Sequence, residues 1–465
     1  MRDLKNIPVY IIVFRFLIFL FIFCVISCSK EPETEIVNTS PSITINDVYS
    51  LRVDEQSKID IKVSDAENDR LTVSVSGLPA SLAFDNNGYV ISGKPALKDT
   101  GTYKINIVAS DSKLMVEKVT YLYVYKNDLH LKNLKLNHKL LLASRSITPG
   151  LLGVTIAVVT TDKKLFAGAV GRLSSVSPEN SLLPTHSFRI ASVTKPMIAA
   201  IILKLADEGR LDINGPITKY VENLIPNMAT MTVKHLLSHT GGVFDHLNAN
   251  SFWNHPENKP GKIWTLNELI NFSVSGGPVF QPGKGYAYSN TGYVILGKII
   301  ENITKMPIED ACKKLLFDPL KLQKTFYDNF SGNSNPLSDL ATNNRSYEYS
   351  PTAAGPSGAV VSNSIDVAYF GKEIYGSGYL KPASLQDMIT NHGVLLAGQN
   401  YGYGTRLWDL NGIKHYGHTG ALMDYRAIVM YVPSKDMSIA MCTHNVHSAW
   451  FDLVNEMLLY CVSEL

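Results

Sequence analysis

Cysteine is scarce in this chain: there are five among 465 residues, and no two stand at C-x-x-C spacing. That excludes a disulfide-dense scaffold and argues against a zinc ribbon. Cys312, Cys442 and Cys461 are scattered and read as small buried apolar residues. An excess of charge is missing too. The net charge is +2, without a block of basic residues or aromatic–basic interleaving, which argues against a nucleic-acid partner. No phosphate loop or dinucleotide fingerprint occurs, so nothing points to a cofactor. Nor is there an apolar run long enough to span a bilayer; the longest, Phe16 to Ile26, is too short. What remains is an ordinary globular composition, 45% hydrophobic and 18% charged, in a chain long enough for two or three domains.

The short apolar run has a context of its own. Arg2, Lys5 and Arg15 precede it, and Ser27 and Cys28 follow, which is the layout of a secretory signal over residues 1–27. The segment "VISC" resembles the lipobox of bacterial lipoproteins. That resemblance implies acylation of Cys28, a membrane anchor, and, with Ser29 in second place, the outer membrane of a Gram-negative bacterium. Residues 28–41, rich in Glu, Pro, Thr and Ser, then read as a solvated tether.

From residue 42 to 126 the pattern changes to period two. Runs such as "LTVSV", "YKINIVAS" and "VTYLYVY", separated by Asp, Asn, Gly and Pro turns, predict a small all-β sandwich. "DTGTY" matches a tyrosine corner at Tyr103, with Ile105 where an antibody domain has its second cysteine. The stretch resembles the Ig-like and cadherin-like modules of bacterial surfaces. Some of those bind calcium, but Asp65, Glu67 and Asp69 in "DAEND" do not make a full oxygen cage and read as a solvated turn.

Residues 128–465 form the larger unit. A helical run leads to an apolar hairpin around "LLGVTIAVVT", and a second hairpin, "YRAIVMYV" to "MSIAMCTHN", precedes a terminal helix. Strands at both ends with helices between them predict an α+β fold: one antiparallel sheet sewn from the termini, with a helical insert.

Three S-x-x-K spacings occur, at Ser27, Ser110 and Ser192. The first lies in the signal and the second at a strand end, where neighbours alternate faces. Only Ser192 enters a strong apolar helix, on which Ser192 and Lys195 share a face and the helix dipole favours negative charge on the serine oxygen. To act as the base Lys195 must be neutral. At an ordinary pKa only on the order of one lysine in a thousand is neutral at pH 7, so the site has to desolvate it or set positive charge beside it. Tyr288, in "GYAYSN" on a Gly- and Pro-rich loop before a helix, is a candidate for protonating the leaving group. His418 in "YGHTG" leads into the terminal hairpin, where backbone can run along a substrate.

"SVTK", "YSN" and "HTG" in this order, with "HLLSHTGG" between the first two, resemble the class C β-lactamase and D-Ala-D-Ala carboxypeptidase family of penicillin-binding-protein-like serine hydrolases. The likeness covers roughly residues 130 to 465. It implies a β-lactamase/transpeptidase-like domain in which Ser192 is acylated, Lys195 deprotonates it and Tyr288 shuttles the proton. Asn290 would hold the substrate or the lysine, and His418, Thr419, Gly420 and Ala421 would line the pocket. The oxyanion hole would use the backbone N–H groups of Ser192 and Ala421. The family's β-lactamases usually have lysine where His418 stands, which shifts the expectation toward peptidases; a charged His418 would hold a substrate carboxylate and titrate near neutrality. Asp424 and Arg426 replace the Gly-rich phrase that commonly follows.

A competing arrangement, His235 and His239 four apart with Asp245 and His246 nearby, lacks the glutamate of H-E-x-x-H, Leu236 standing in its place. The sequence thus predicts an exported, lipid-anchored, metal-free acyl-transfer hydrolase acting on small or peptide acyl substrates such as peptidoglycan peptides. Esterase or weak β-lactamase activity is the alternative within the class. A surface adhesin or muropeptide sensor is the alternative outside it.

Overall fold

The computed structural model describes residues 37–145, 151–175, 179–222, 224–226, 228–328, 340–342, 348–376, 378–392, 400–445 and 447–465. Cys28 and the rest of the N-terminal segment lie outside these residues.

Alternation builds the first domain. A four-stranded sheet runs in the order Val48–Arg52, Met115–Tyr125, Gly101–Ser110, Thr72–Ser76, and a three-stranded one in the order Ser57–Asp60, Val90–Gly93, Leu82–Asp85. Every second residue turns inward, so Ile59 and Ile91 from one sheet meet Ile105, Ile107, Leu122 and Val124 from the other in a single core. Tyr103 packs against its edge. The pairing of Val48–Arg52 with Met115–Tyr125 is parallel, from Val48 opposite Tyr121 to Arg52 opposite Tyr125. The "DAEND" segment is a turn: Asp65 Oδ1 accepts the N–H groups of Glu67 and Asp69 at 3.0 and 2.9 Å. Lys113 Nζ lies 3.3 Å from Asp69.

The second domain is centred on a seven-stranded antiparallel sheet. Its strands are β1 (Gly153–Val159), β2 (Leu165–Gly171), β3 (Asn400–Tyr401), β4 (Arg406–Leu410), β5 (Ile413–Leu422), β6 (Tyr425–Val432) and β7 (Met437–Thr443), in the order β2-β1-β7-β6-β5-β4-β3. The N-terminal hairpin β1–β2 thus pairs directly with the C-terminal strand β7. All seven residues of β1 are buried because helices cover both faces. Val154, Ile156 and Val158 face α1 (Asp128–Arg145) and the terminal helix Trp450–Glu464, while Ala157 and Val159 face α2 (Thr194–Asp207). Strands β6 and β7 alternate in the same way, Ile428, Met430, Ile439 and Met441 to one layer and Ala427, Val429, Ala440 and Cys442 to the other.

The insert adds α2, α3 (Leu266–Val274, opened by a Thr265–Glu268 capping box) and α4 (Asn290–Thr304). Leu296, Ile299 and Ile300 on α4 are completely buried. Helix α2 is closed by Gly209, which takes a left-handed φ of 73° and donates its N–H to Ala206 O at 2.9 Å. A second small sheet, Phe188–Arg189 with Val360–Ser362 and Phe326–Tyr327, was not foreseen from sequence. The two domains touch where His138 of α1 packs on Tyr121 at 4.1 Å between ring centres and hydrogen-bonds the Tyr123 hydroxyl.

Candidate active site

Ser192 sits where the small sheet hands the chain to α2. Ile190 N–H donates to Val360 O at 3.0 Å, and Ala191 then takes a left-handed φ of 48°. For a residue with a Cβ such a backbone costs about 1–3 kcal/mol. The strain turns Ser192 into a 3₁₀ turn, Ala191–Val193, rather than into α2 itself. On a 3₁₀ turn residues three apart eclipse, and Lys195 Nζ comes to 3.1 Å from Ser192 Oγ.

Lys195 is fully buried. Its Nζ also lies 2.7 Å from Asn290 Oδ1 and 2.9 Å from Ser357 O. Both are acceptors only, the amide oxygen held in place as described below, so they take two protons of the amine. A neutral lysine has then used both of its protons, and its lone pair is left facing Ser192. Burial holds its pKa well below the usual lysine value; nearby Asp245 opposes that and Arg406 adds to it.

Tyr288 approaches from the other side, sharing a side-chain hydrogen bond with Ser192, its ring 4.7 Å from Lys195 Nζ. Burial raises its pKa, so it carries a proton. His239 holds Tyr288 on both sides. Its carbonyl accepts Ala287 N–H at 3.0 Å, its Nδ1 accepts Ser289 N–H at 3.1 Å, and its ring lies 4.2 Å from the tyrosine ring. His235 does a separate job, its Nδ1 taking Thr232 N–H at 3.2 Å. Asn290 is the first residue of α4, capped by Ser289, whose Oγ accepts Gly292 N–H.

Strand β5 closes the site. Gly420 passes so near Ile190 that a Cβ would stand 2.0 Å from the Ile190 oxygen, and any side chain there would push the strand away from Ser192. Ser192, Tyr288, Asn290, His418, Thr419 and Ala421 line one cavity of about 270 Å³, with Leu247, Ala354 and Leu422 as apolar wall. Pockets for drug-sized ligands run to about 300–1,000 Å³, so this one suits a small substrate.

The expectation of a charged His418 is corrected by its surroundings. The residue is fully buried, Nδ1–H donates to Thr419 O at 2.6 Å, and Nε2 accepts the Tyr401 hydroxyl at 3.0 Å. Burial first, then Arg406, holds its pKa well below 6.5, leaving a neutral imidazole. The positive charge comes from Arg406 on β4, which sequence reasoning missed. Arg406 pairs across the sheet with Gly417, lines the cavity and lies over the rings of Tyr288 and Tyr401 at 5.6 and 5.8 Å. Among the described residues no carboxylate pairs with it. No motif marks this arginine; only the strand order brings it to Ser192. Arg426 turns away, its Nη1 donating to Met423 O and Tyr425 O at 2.8 and 2.7 Å to hold the β5–β6 turn.

Comparison with known proteins agrees with this geometry. Residues 141–462 match the Beta-lactamase family, and residues 33–126 match a Putative Ig domain. Penicillin-binding protein 4 of Amycolatopsis lactamdurans is 26% identical over 302 residues, 58% of this chain and 76% of that protein. Protein flp of Staphylococcus aureus (strain MW2) is 29% identical over 179 residues, 38% of this chain, so the match spans only 34% of flp's length. Among solved structures, the D-amino acid amidase from Ochrobactrum anthropi SV3 in complex with L-phenylalanine superposes with a TM-score of 0.63. It is 23% identical, over 72% of this chain and 99% of that one. With a family match over more than half its length, the chain belongs to the beta-lactamase family of serine hydrolases and carries an Ig-like domain ahead of the hydrolase fold.

Proposed function

We propose that this protein hydrolyses an amide bond in small D-amino-acid peptides, such as the ends of peptidoglycan peptides, through an acyl-enzyme on Ser192. Ser192 Oγ attacks the carbonyl carbon as its proton passes to Lys195 Nζ. The tetrahedral oxyanion is held by the backbone N–H groups of Ser192 and Ala421, both at the cavity wall. Tyr288 donates its proton to the leaving nitrogen and is resupplied from Lys195; water then hydrolyses the ester by the reverse path. The observation that carries this reading is the buried Lys195, with two acceptors fixing its protons and its lone pair left for Ser192.

Arg406 supports a substrate with a free carboxylate on the leaving group. A guanidinium beside the nucleophile, paired with no carboxylate among the described residues, is a receptor for one. The D configuration is supported by the superposed structure, a D-amino acid amidase. In the same reading Cys28 anchors the enzyme to the outer membrane through acyl chains, and Cys28→Ser releases it into the soluble fraction or leaves it unprocessed.

The test compares a D-dipeptide with the amide of its first residue. Arg406→Ala lowers the ratio of kcat/KM for the dipeptide to that for the amide about 10- to 100-fold, the loss of a charge-assisted hydrogen bond, while any change through the Lys195 base falls on both substrates alike. Mass spectrometry detects the acyl group on Ser192. An adduct elsewhere, or turnover without one, sinks the mechanism.

A further inference from the structure

We propose that Asp245 is a positioning residue for the Lys195 base, holding the Asn290 amide in the one orientation that receives the lysine and setting a fixed negative charge behind it. The inference rests on the acyl-enzyme reading above.

Asp245 lies in the turn after the "HTGG" segment and is 7% exposed. Its Oδ1 accepts Leu247 N–H at 3.0 Å, and its Oδ2 accepts Asn290 Nδ2 at 2.7 Å. A carboxylate can only accept, so the NH₂ end of the Asn290 amide must face Asp245. The oxygen end is thereby turned to Lys195 Nζ, 2.7 Å away. An amide flipped the other way would point donors at a donor. The orientation follows from chemistry.

The carboxylate is not neutralised by its neighbour. His246 Nδ1 is 3.8 Å from Asp245 Oδ1 but is bonded to Thr291 Oγ1 at 3.0 Å, while Nε2 donates to Ala353 O at 2.9 Å. Burial holds that imidazole neutral. The groups facing Lys195 are therefore Arg406 as the other full charge, the neutral rings of His239, His246 and His418, and the hydroxyls of Tyr288 and Tyr293. Burial and Arg406 disfavour an ammonium at 195; Asp245 alone favours it. An ammonium is what Lys195 becomes when it takes the serine proton, so Asp245 stabilises the charge as it forms.

Two variants separate orientation from charge. Asp245→Asn removes the charge and, with one oxygen in place of two, keeps an acceptor for Asn290 only by giving up Leu247 N–H. The exchange Asp245→Asn with Asn290→Asp restores a donor–acceptor pair and moves the charge next to Lys195. With an N-acetyl-D-amino-acid amide, which has no titrating group of its own, the acid limb of kcat/KM shifts to lower pH in the first, by about one unit or more, and to higher pH than wild type in the second. In the first variant kcat falls about tenfold, as the base weakens by that shift. A limb that stays in place in both, with only thermal stability lowered, makes Asp245 a turn cap and overturns the proposal. Titration of Lys195 by NMR with ε-¹³C-lysine reads the same order with no substrate present. If that order appears but Ser192 is never acylated, the positioning stands and the hydrolase mechanism falls. If Ser192 is acylated and the order is absent, the reverse holds.

Discussion

Each domain carries an S-x-x-K spacing, and the two pairs have nothing else in common. At the end of a strand in the Ig-like domain, Ser110 Oγ donates to Leu114 O at 2.9 Å and accepts Ser112 N–H at 3.1 Å, while Lys113 reaches through solvent to Asp69. In the hydrolase domain Lys195 has no exposure and two acceptors that use its protons. Burial, not spacing, makes a lysine a base. The contrast extends to the whole of each domain. The Ig-like domain contains no histidine, and its lysines and arginines are exposed or, at Lys118, partly so. All 12 histidines lie in the hydrolase domain. That domain also encloses the Arg189–Asp328 ion pair and Lys372.

The sharpest break between the pairs is catalytic. Ser192→Ala removes the nucleophile and lowers turnover on the order of 10⁶-fold, without a change in either domain's melting. Ser110→Ala leaves turnover alone and takes about 1 kcal/mol from the Ig-like domain, the worth of its local hydrogen bonds, read as a shift in that domain's calorimetric transition. Any loss of activity in Ser110→Ala would put the first domain inside the catalytic unit.

Acid sharpens the contrast next. His239, His246, His418 and His444 all have folded-state pKa values below the ordinary histidine value because they are buried, His444 down to about 4. The unfolded chain therefore binds protons first as pH falls below about 6.5, and stability present above that pH drains away until the folded values are passed. Each histidine contributes at most about 1.4 kcal/mol per pH unit. In the Ig-like domain the shifted groups that titrate in acid are carboxylates. Asp99 and Asp111 are lowered by hydrogen bonds, chiefly from Ser81 and from Leu114 N–H respectively, so their contribution is lost only below the ordinary carboxylate range. Calorimetry between pH 7 and 4 should show the hydrolase transition moving down while the other stays. Parallel movement of both would remove the contrast.

The smallest effect concerns the contact between the domains. Deleting residues 42–126 bares His138 and one face of α1, lowering the hydrolase domain's Tm by a few degrees, as loss of about 1 kcal/mol does in a domain this large. Turnover of a small amide stays within about twofold, since every residue of the site lies beyond residue 190.

Legibility from sequence followed the same division. The Ig-like domain was readable because alternation alone specifies a sandwich. In the hydrolase domain, Ser192, Lys195, Tyr288 and Asn290 could be named because two short motifs each carry their own turn or helix start, and Thr419 because its motif leads into the apolar terminal hairpin. Arg406 was not, since it reaches the site only by lying beside β5, a relation that no local pattern encodes. The charge assigned to His418 failed for a related reason: residue type sets a reference pKa, but Tyr401 and the Thr419 carbonyl, with complete burial, set the actual state. Asp245 was visible only as a metal ligand candidate, because its bond to Asn290 spans 45 positions.

The parallel pairing of Val48–Arg52 with Met115–Tyr125 has a mechanical consequence. One strand leads in from the N-terminal end and the other leads out to the hydrolase domain. Tension along the chain pulls two parallel neighbours in opposite directions along their length. The load then falls on the whole ladder at once, in shear, instead of opening it one bond at a time. A domain built this way resists stretching along its chain far better than unzipping, so a pull between its N-terminal end and the hydrolase domain has to shear the whole ladder before the sandwich opens.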